Sequence, residues 1–184
     1  MAKVNGLEVN DIIQMVEGVK ANPGMAQATF SAITSWKSGF HNQAAVASFK
    51  LGGANVSHSE TFTVEGDHPK ELLGTGHGPT SVEVLLAALG HCIASGWAVY
   101  GASLGVSIDG LRVEVEGDVD LQGMLGLPKP GQVRPGYHNI RVTHYVKSKA
   151  PKEKLEQVKK MAEDLSPTRD SLRAINYSST LVIQ

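Results

Sequence analysis

The single thiol of this 184-residue chain is Cys92, and an ionised thiol attacks electrophiles. With no second cysteine it cannot close a disulfide within its own chain, so it is either a small apolar filler or a reactive group. It sits in Thr80-Ser81-Val82-Glu83-Val84-Leu85-Leu86-Ala87-Ala88-Leu89-Gly90-His91-Cys92, the beginning of a long apolar stretch. One helical turn away lie Ala88, Leu89, Ser95 and Gly96, mostly small side chains that let a backbone or a substrate approach the sulfur. Spacing alone leaves both roles open.

Other residues that could do chemistry are less organised. The seven histidines show no metal-ligand spacing with Cys92 or with one another, and there is no HExxH pair. His91 adjoins Cys92 but points about 100° away from it on a helix. Gly74-Thr75-Gly76-His77-Gly78-Pro79-Thr80 leads into a helix N-terminus, where free N–H groups bind anions. It lacks the lysine of a Walker loop and the setting of a dinucleotide fingerprint, so it reads as a connector. No strand-elbow serine motif points to a hydrolase. No metal and no cofactor are expected.

Charge excludes further classes. With 17 basic and 18 acidic side chains, no long-range field gathers nucleic acid or anionic lipid. Residues 82–106 are apolar enough to suggest a membrane span, but Glu83, His91 and the glycines favour a buried central helix. Met1-Ala2-Lys3-Val4-Asn5-Gly6 lacks the pattern of a secretory signal. Together with the lone cysteine, this places the protein in a reducing cytoplasm.

The elements that must hold Cys92 follow from patterning. Asp11 to Lys20 carries apolar residues at helical spacing and stops before Asn22-Pro23-Gly24, so residues 1–24 form a helical extension. Residues 28–36, 43–50 and 57–64 alternate as three strands, separated by Gly39 and Gly52-Gly53. Thr80 followed by Glu83 is a capping box opening the long helix, which runs to about Gly105. Strands return at 107–117 and 138–147. A second helix opens at Pro151, with Leu155, Val158, Ala162 and Leu165 on one face and an i,i+4 pair of Glu156 and Lys160. A short helical turn follows Ser166-Pro167, and 175–183 reads as a last strand. Runs of strands and helices predict an α+β fold, with a mostly antiparallel sheet over two helices, as a single domain spanning 1–184.

Gly78-Pro79-Thr80-Ser81-Val82-Glu83 through Gly90-His91-Cys92 resembles the signature of the OsmC/Ohr family, the osmotically induced and organic-hydroperoxide-resistance proteins. Ser166-Pro167-Thr168-Arg169-Asp170-Ser171-Leu172 resembles a second family block, which in many members begins with cysteine. The likeness extends from about Phe30 to the C-terminus. It implies an intertwined homodimer, with thiol sites at the subunit interface.

By the same resemblance Cys92 matches the cysteine that attacks peroxide, and Glu83 the glutamate that helps hold the thiolate. The second, resolving cysteine is replaced by Ser166. The family arginine is missing from the loop between the first strands, because the first arginine of the chain is Arg112. That leaves Lys37 and His41 as candidate cationic substitutes, without arginine's bidentate fork. Glu83 and Cys92, nine residues apart, are separated by about 13.5 Å of rise and two and a half turns on a continuous helix. A functional pair therefore needs Cys92 of the other subunit or a break in the helix. The resemblance implies a thiol protein that reduces organic hydroperoxides through Cys92, with an external thiol as resolving agent. The alternative is a non-catalytic homodimer that binds a small apolar ligand in the same interface cleft.

Overall fold

Residues 3–127, 129 and 131–172 are described by a computed structural model. The chain divides into two units, one of Val9–Leu85 and one joining the residues up to Glu8 to those after Leu85. Every strand pairing among the described residues is antiparallel, and the fold is α+β.

The N-terminal pair β1 (Lys3–Val4) and β2 (Leu7–Glu8) belongs to the second unit; in the first unit, helix α1 (Val9–Ala21) is followed by strands β3 (Ala28–Phe30), β4 (Ile33–Ser38), β5 (His41–Leu51) and β6 (Ala54–Gly66). The first strand expected from the sequence is interrupted at Ser31-Ala32, so β3 and β4 pair with opposite ends of β5. The β5–β6 hairpin turns on Gly52 and Gly53, at φ 55° and 85°, the pair of positive angles that a two-residue turn of type I′ requires. Asp67 is 2% exposed and organises the following loop. Its carboxylate accepts the Thr75 hydroxyl at 2.5 Å and the N–H groups of His68, Thr75 and His77. The buried residues of this unit are Asp67 and Thr80; no hydrophobic side chain in it is buried.

The apolar core lies in the second unit. Helix α2 (Ser81–Ser103) enters it from Leu86, and Leu89, Ile93 and Trp97 recur every four residues as one buried stripe. Strands β7 (Gly110–Asp118) and β8 (Asn139–Lys147) pair along their full length. The short helix α3 (Leu121–Met124) interrupts the loop between them. Leu111, Val113, Val115, Ile140, Val142 and Val146 pack on that stripe from the inner face of the pair. Helix α4 (Lys152–Asp164) contributes Val158 and Ala162. Full burial of each large side chain stabilises by about 1.5–3 kcal/mol. Gly96 lets α4 approach closely, since a Cβ there would lie 2.9 Å from Ala162 Cα. Helix α2 is long and apolar enough to cross a membrane by composition, and here its stripe forms the protein core.

A polar strut crosses this core. Trp97 Nε1–H donates to His144 Nδ1 at 2.9 Å, and His144 Nε2 meets Glu163 Oε1 at 2.9 Å. An indole N–H can only donate, so Nδ1 carries no proton and the imidazole proton sits on Nε2, facing Glu163. The strut ties α2, β8 and α4 together through a histidine side chain that is 4% exposed.

Several local expectations change. The β1–β2 hairpin was not anticipated, although Asn5-Gly6 is a hairpin signal. Asn5 pins it by donating to the Val106 carbonyl at 3.0 Å and accepting the Ile108 N–H at 2.9 Å. Leu165 is 57% exposed, because α4 ends at Asp164 and the chain turns there. Lys160 pairs with Asp164, and Lys159 lies 3.6 Å from Glu163, so Lys160 is not engaged with Glu156. The last strand, at 175–183, falls outside the described residues.

Candidate functional site

Cys92 lies in the second unit on α2 and is half-buried. Opposite it is the start of α5 (Pro167–Ser171). Ser166 is the N-cap of this turn, with its Oγ accepting the Arg169 N–H at 3.1 Å, and Pro167 occupies the first helical position. Serine before proline favours this local structure, since the hydroxyl satisfies a free N–H and proline presets the backbone. The same Ser166 hydroxyl donates to Cys92 Sγ at 3.1 Å. Ser166 is 3% exposed, so water hardly competes for this bond.

The backbone N–H and hydroxyl of Thr168 act on the sulfur in the same direction, favouring its anion. Burial pushes the Cys92 thiol up, whereas the Ser166 hydroxyl and both Thr168 donors pull it down. The donors prevail and the thiol lies below its ordinary value. Hydrogen bonds to the charged form favour that form, so this sulfur is surrounded by groups that suit a thiolate. Thr168 was missed from the sequence because its role depends on α5 folding back onto α2. The available signal was the Ser-Pro-Thr run, which places threonine in the first turn of a capped helix.

The other candidate residues take separate positions. Glu83 realises the capping box, accepting the Thr80 N–H at 2.8 Å and the Thr80 hydroxyl at 2.7 Å. The Thr80 hydroxyl and then its N–H hold the Glu83 carboxyl below its usual range, against the effect of burial. Helix α2 is unbroken from Ser81 to Ser103, so the break that would have brought Glu83 to Cys92 does not occur. His41 and Lys37 belong to the first unit. His41 Nε2 meets Glu65 Oε2 at 2.9 Å, and its ring stacks on His77 with centroids 4.7 Å apart. His41 and then Gln43 hold the Glu65 carboxyl low. Lys37 is exposed on β4.

A cavity of about 300 Å³ opens in the second unit, walled by Leu89, Ile93, Ile140, Val142 and Leu172 with Glu163 and Arg169 as its charged groups. Arg169 is held by Asp164 at 3.1 Å, and it shares α5 with the groups that face the sulfur. Among the described residues no group of three or more His, Cys, Asp or Glu side chains is placed to hold a metal ion.

The family model for OsmC-like proteins matches residues 74–179, which include both the Cys92 helix and the Ser166 turn. An OsmC-like protein from Mycoplasma pneumoniae shares the fold, with 14% identity and a TM-score of 0.59 over 80% of this chain and 89% of that one. So does an organic hydroperoxide resistance protein from Elizabethkingia anophelis, crystallised with thiocyanate bound, at 13% identity and a TM-score of 0.53 over 78% and 89% of the two chains. A third is the organic hydroperoxide resistance protein OsmC of Legionella pneumophila, at 14% identity and a TM-score of 0.52 over 80% and 92%. At these identities the likeness is one of fold. No curated protein matches the chain.

Proposed function

The chain belongs to the OsmC-like family, and on that premise we propose that it reduces organic hydroperoxides through Cys92, with an external thiol completing the cycle. The observation that carries this reading is the buried Ser166 hydroxyl donating at 3.1 Å to one half-buried sulfur. A free thiol near pKa 8.5 is only about a few per cent thiolate at neutral pH, so donors that favour the anion raise the fraction able to attack.

In the first step the Cys92 thiolate attacks the terminal oxygen of the hydroperoxide. The S–O bond forms, the O–O bond breaks, and the organic fragment leaves as an alkoxide that is protonated to an alcohol. The sulfur, oxidised by two electrons, is then a sulfenic acid. Ser166 occupies the position of the second family cysteine and has no sulfur to offer. An external thiol therefore attacks the sulfenic sulfur, releasing water and leaving a mixed disulfide. A second thiol frees Cys92, and the reductant leaves as its own disulfide. A reducing cytoplasm supplies such thiols.

The first unit's surface supports a second subunit. Phe30, Ile33 and Trp36 are 76%, 74% and 73% exposed, on a sheet whose own unit buries no apolar side chain. In this reading a second copy covers that surface. Glu83 then acts as an orienting carboxylate on Cys92 of the other subunit, because an unbroken helix turns the two side chains to opposite faces.

The test is to treat the reduced protein with an organic hydroperoxide, trap sulfenic acid with dimedone, and locate the adduct by mass spectrometry. Adduct on Cys92, absent in Cys92→Ser, is expected. If Cys92 stays a thiol at hydroperoxide concentrations that consume free glutathione, the peroxidase reading falls, and the binding of small apolar molecules becomes the better account.

A further inference from the structure

We propose that Ser166 is a positioning residue whose hydroxyl, fixed as a donor by the α5 cap, is held on the Cys92 sulfur so as to favour its anion over the thiol. The inference rests on Cys92 being the nucleophile. A serine hydroxyl has one hydrogen to give and lone pairs to receive with. The Arg169 N–H, at 3.1 Å, takes the accepting side. The hydroxyl hydrogen is thereby turned to the Cys92 sulfur, also at 3.1 Å. Because Ser166 is 3% exposed, this donor has no bulk water to turn to. Pro167 fixes the backbone of the first helical residue, so the oxygen is held in place before any substrate arrives. A side chain that only caps the helix would deprive the sulfur of this buried donor. Capping and donating together require a hydroxyl.

That requirement separates the structural role of Ser166 from its role toward the sulfur. Threonine keeps both functions. Aspartate caps a helix about as well as serine, but it cannot donate and sets a negative charge against the thiolate. Alanine loses both functions. The experiment measures iodoacetamide alkylation of Cys92 against pH in the wild type and in Ser166→Thr, Ser166→Asp and Ser166→Ala, with thermal unfolding of each.

Ser166→Thr is expected to keep the wild-type profile. Ser166→Asp is expected to melt at a lower temperature, because a charge enters a buried site, and while folded to alkylate about ten-fold or more slowly at neutral pH, since a hydrogen bond to a charged group is lost. Its profile should shift to higher pH. If Ser166→Ala fails to fold, the Thr and Asp variants still decide. An Asp variant that alkylates as the wild type does, over the same pH range, overturns the inference. Alkylation needs no hydroperoxide, which separates the two failures. A wild type that alkylates as a serine-dependent thiolate but consumes no hydroperoxide sinks only the peroxidase reading. Hydroperoxide turnover with a serine-independent profile sinks only the role of Ser166.

Discussion

Replacing Gly96 with alanine is expected to destabilise the protein, although alanine is the better helix former. Gly96 lies inside α2 where α4 crosses it, and an added Cβ would sit 2.9 Å from Ala162 Cα, 3.0 Å from its Cβ and 3.3 Å from its carbonyl oxygen. The obstacle is largely backbone, so no rotamer change relieves it and the two helices must part. Helix propensity favours alanine by about 0.8–1 kcal/mol, while overpacking a tight core costs about 1–3 kcal/mol. The net loss reaches about 2 kcal/mol, a fall of several degrees in Tm. Gly90, on the same helix, is the control. A Cβ there meets Val115 Cγ2 at 3.5 Å, an ordinary contact, so Gly90→Ala retains its propensity gain of about 0.8–1 kcal/mol. Urea unfolding followed by circular dichroism, at matched protein concentration, compares the two. If Gly96→Ala proves as stable as Gly90→Ala, α4 does not pack on α2 as described.

Glu83→Ala is expected to lower stability by about 0.5–2 kcal/mol through loss of the capping box, while Glu83→Gln, which can still accept from Thr80, loses less. Because the folded Glu83 carboxyl lies below its usual value, its stabilisation is complete above the unfolded pKa. It is lost as the pH falls through the folded one, so unfolding curves of wild type and Glu83→Ala should converge in acid. Analytical ultracentrifugation is expected to show a dimer that persists at low concentration. A folded monomer would remove the second subunit from the proposal.

Legibility varied with the range of the contact. The capping box and the Gly52-Gly53 turn depend on residues within a turn or two of one another, so spacing alone was enough to place them. The break at Ser31-Ala32 was not visible, because an alternating pattern passes through it and only pairing with β5 separates β3 from β4. Leu165 was expected to be buried by its helical spacing, yet the chain leaves α4 before the pattern can place it. At the site, Cys92 and Ser166 were both singled out by the sequence. Thr168 was not, since nothing local marks a threonine in a helix's first turn as facing a thiol from another element.

Composition by itself settled that Cys92 has no disulfide partner in its own chain, and that Ser166 cannot resolve an oxidised sulfur. These are matters of which atoms are present, and no arrangement of the backbone alters them. The tertiary structure decided what Ser166 does instead. Its hydroxyl reaches Cys92 across 74 residues of sequence, because the α2–α4 packing at Gly96 and Ala162 belongs to the same core from which α5 departs. Whether a thiol is filler or anion depends on the donors and water around it, and those are set by which elements meet. Here a buried hydroxyl meets one sulfur.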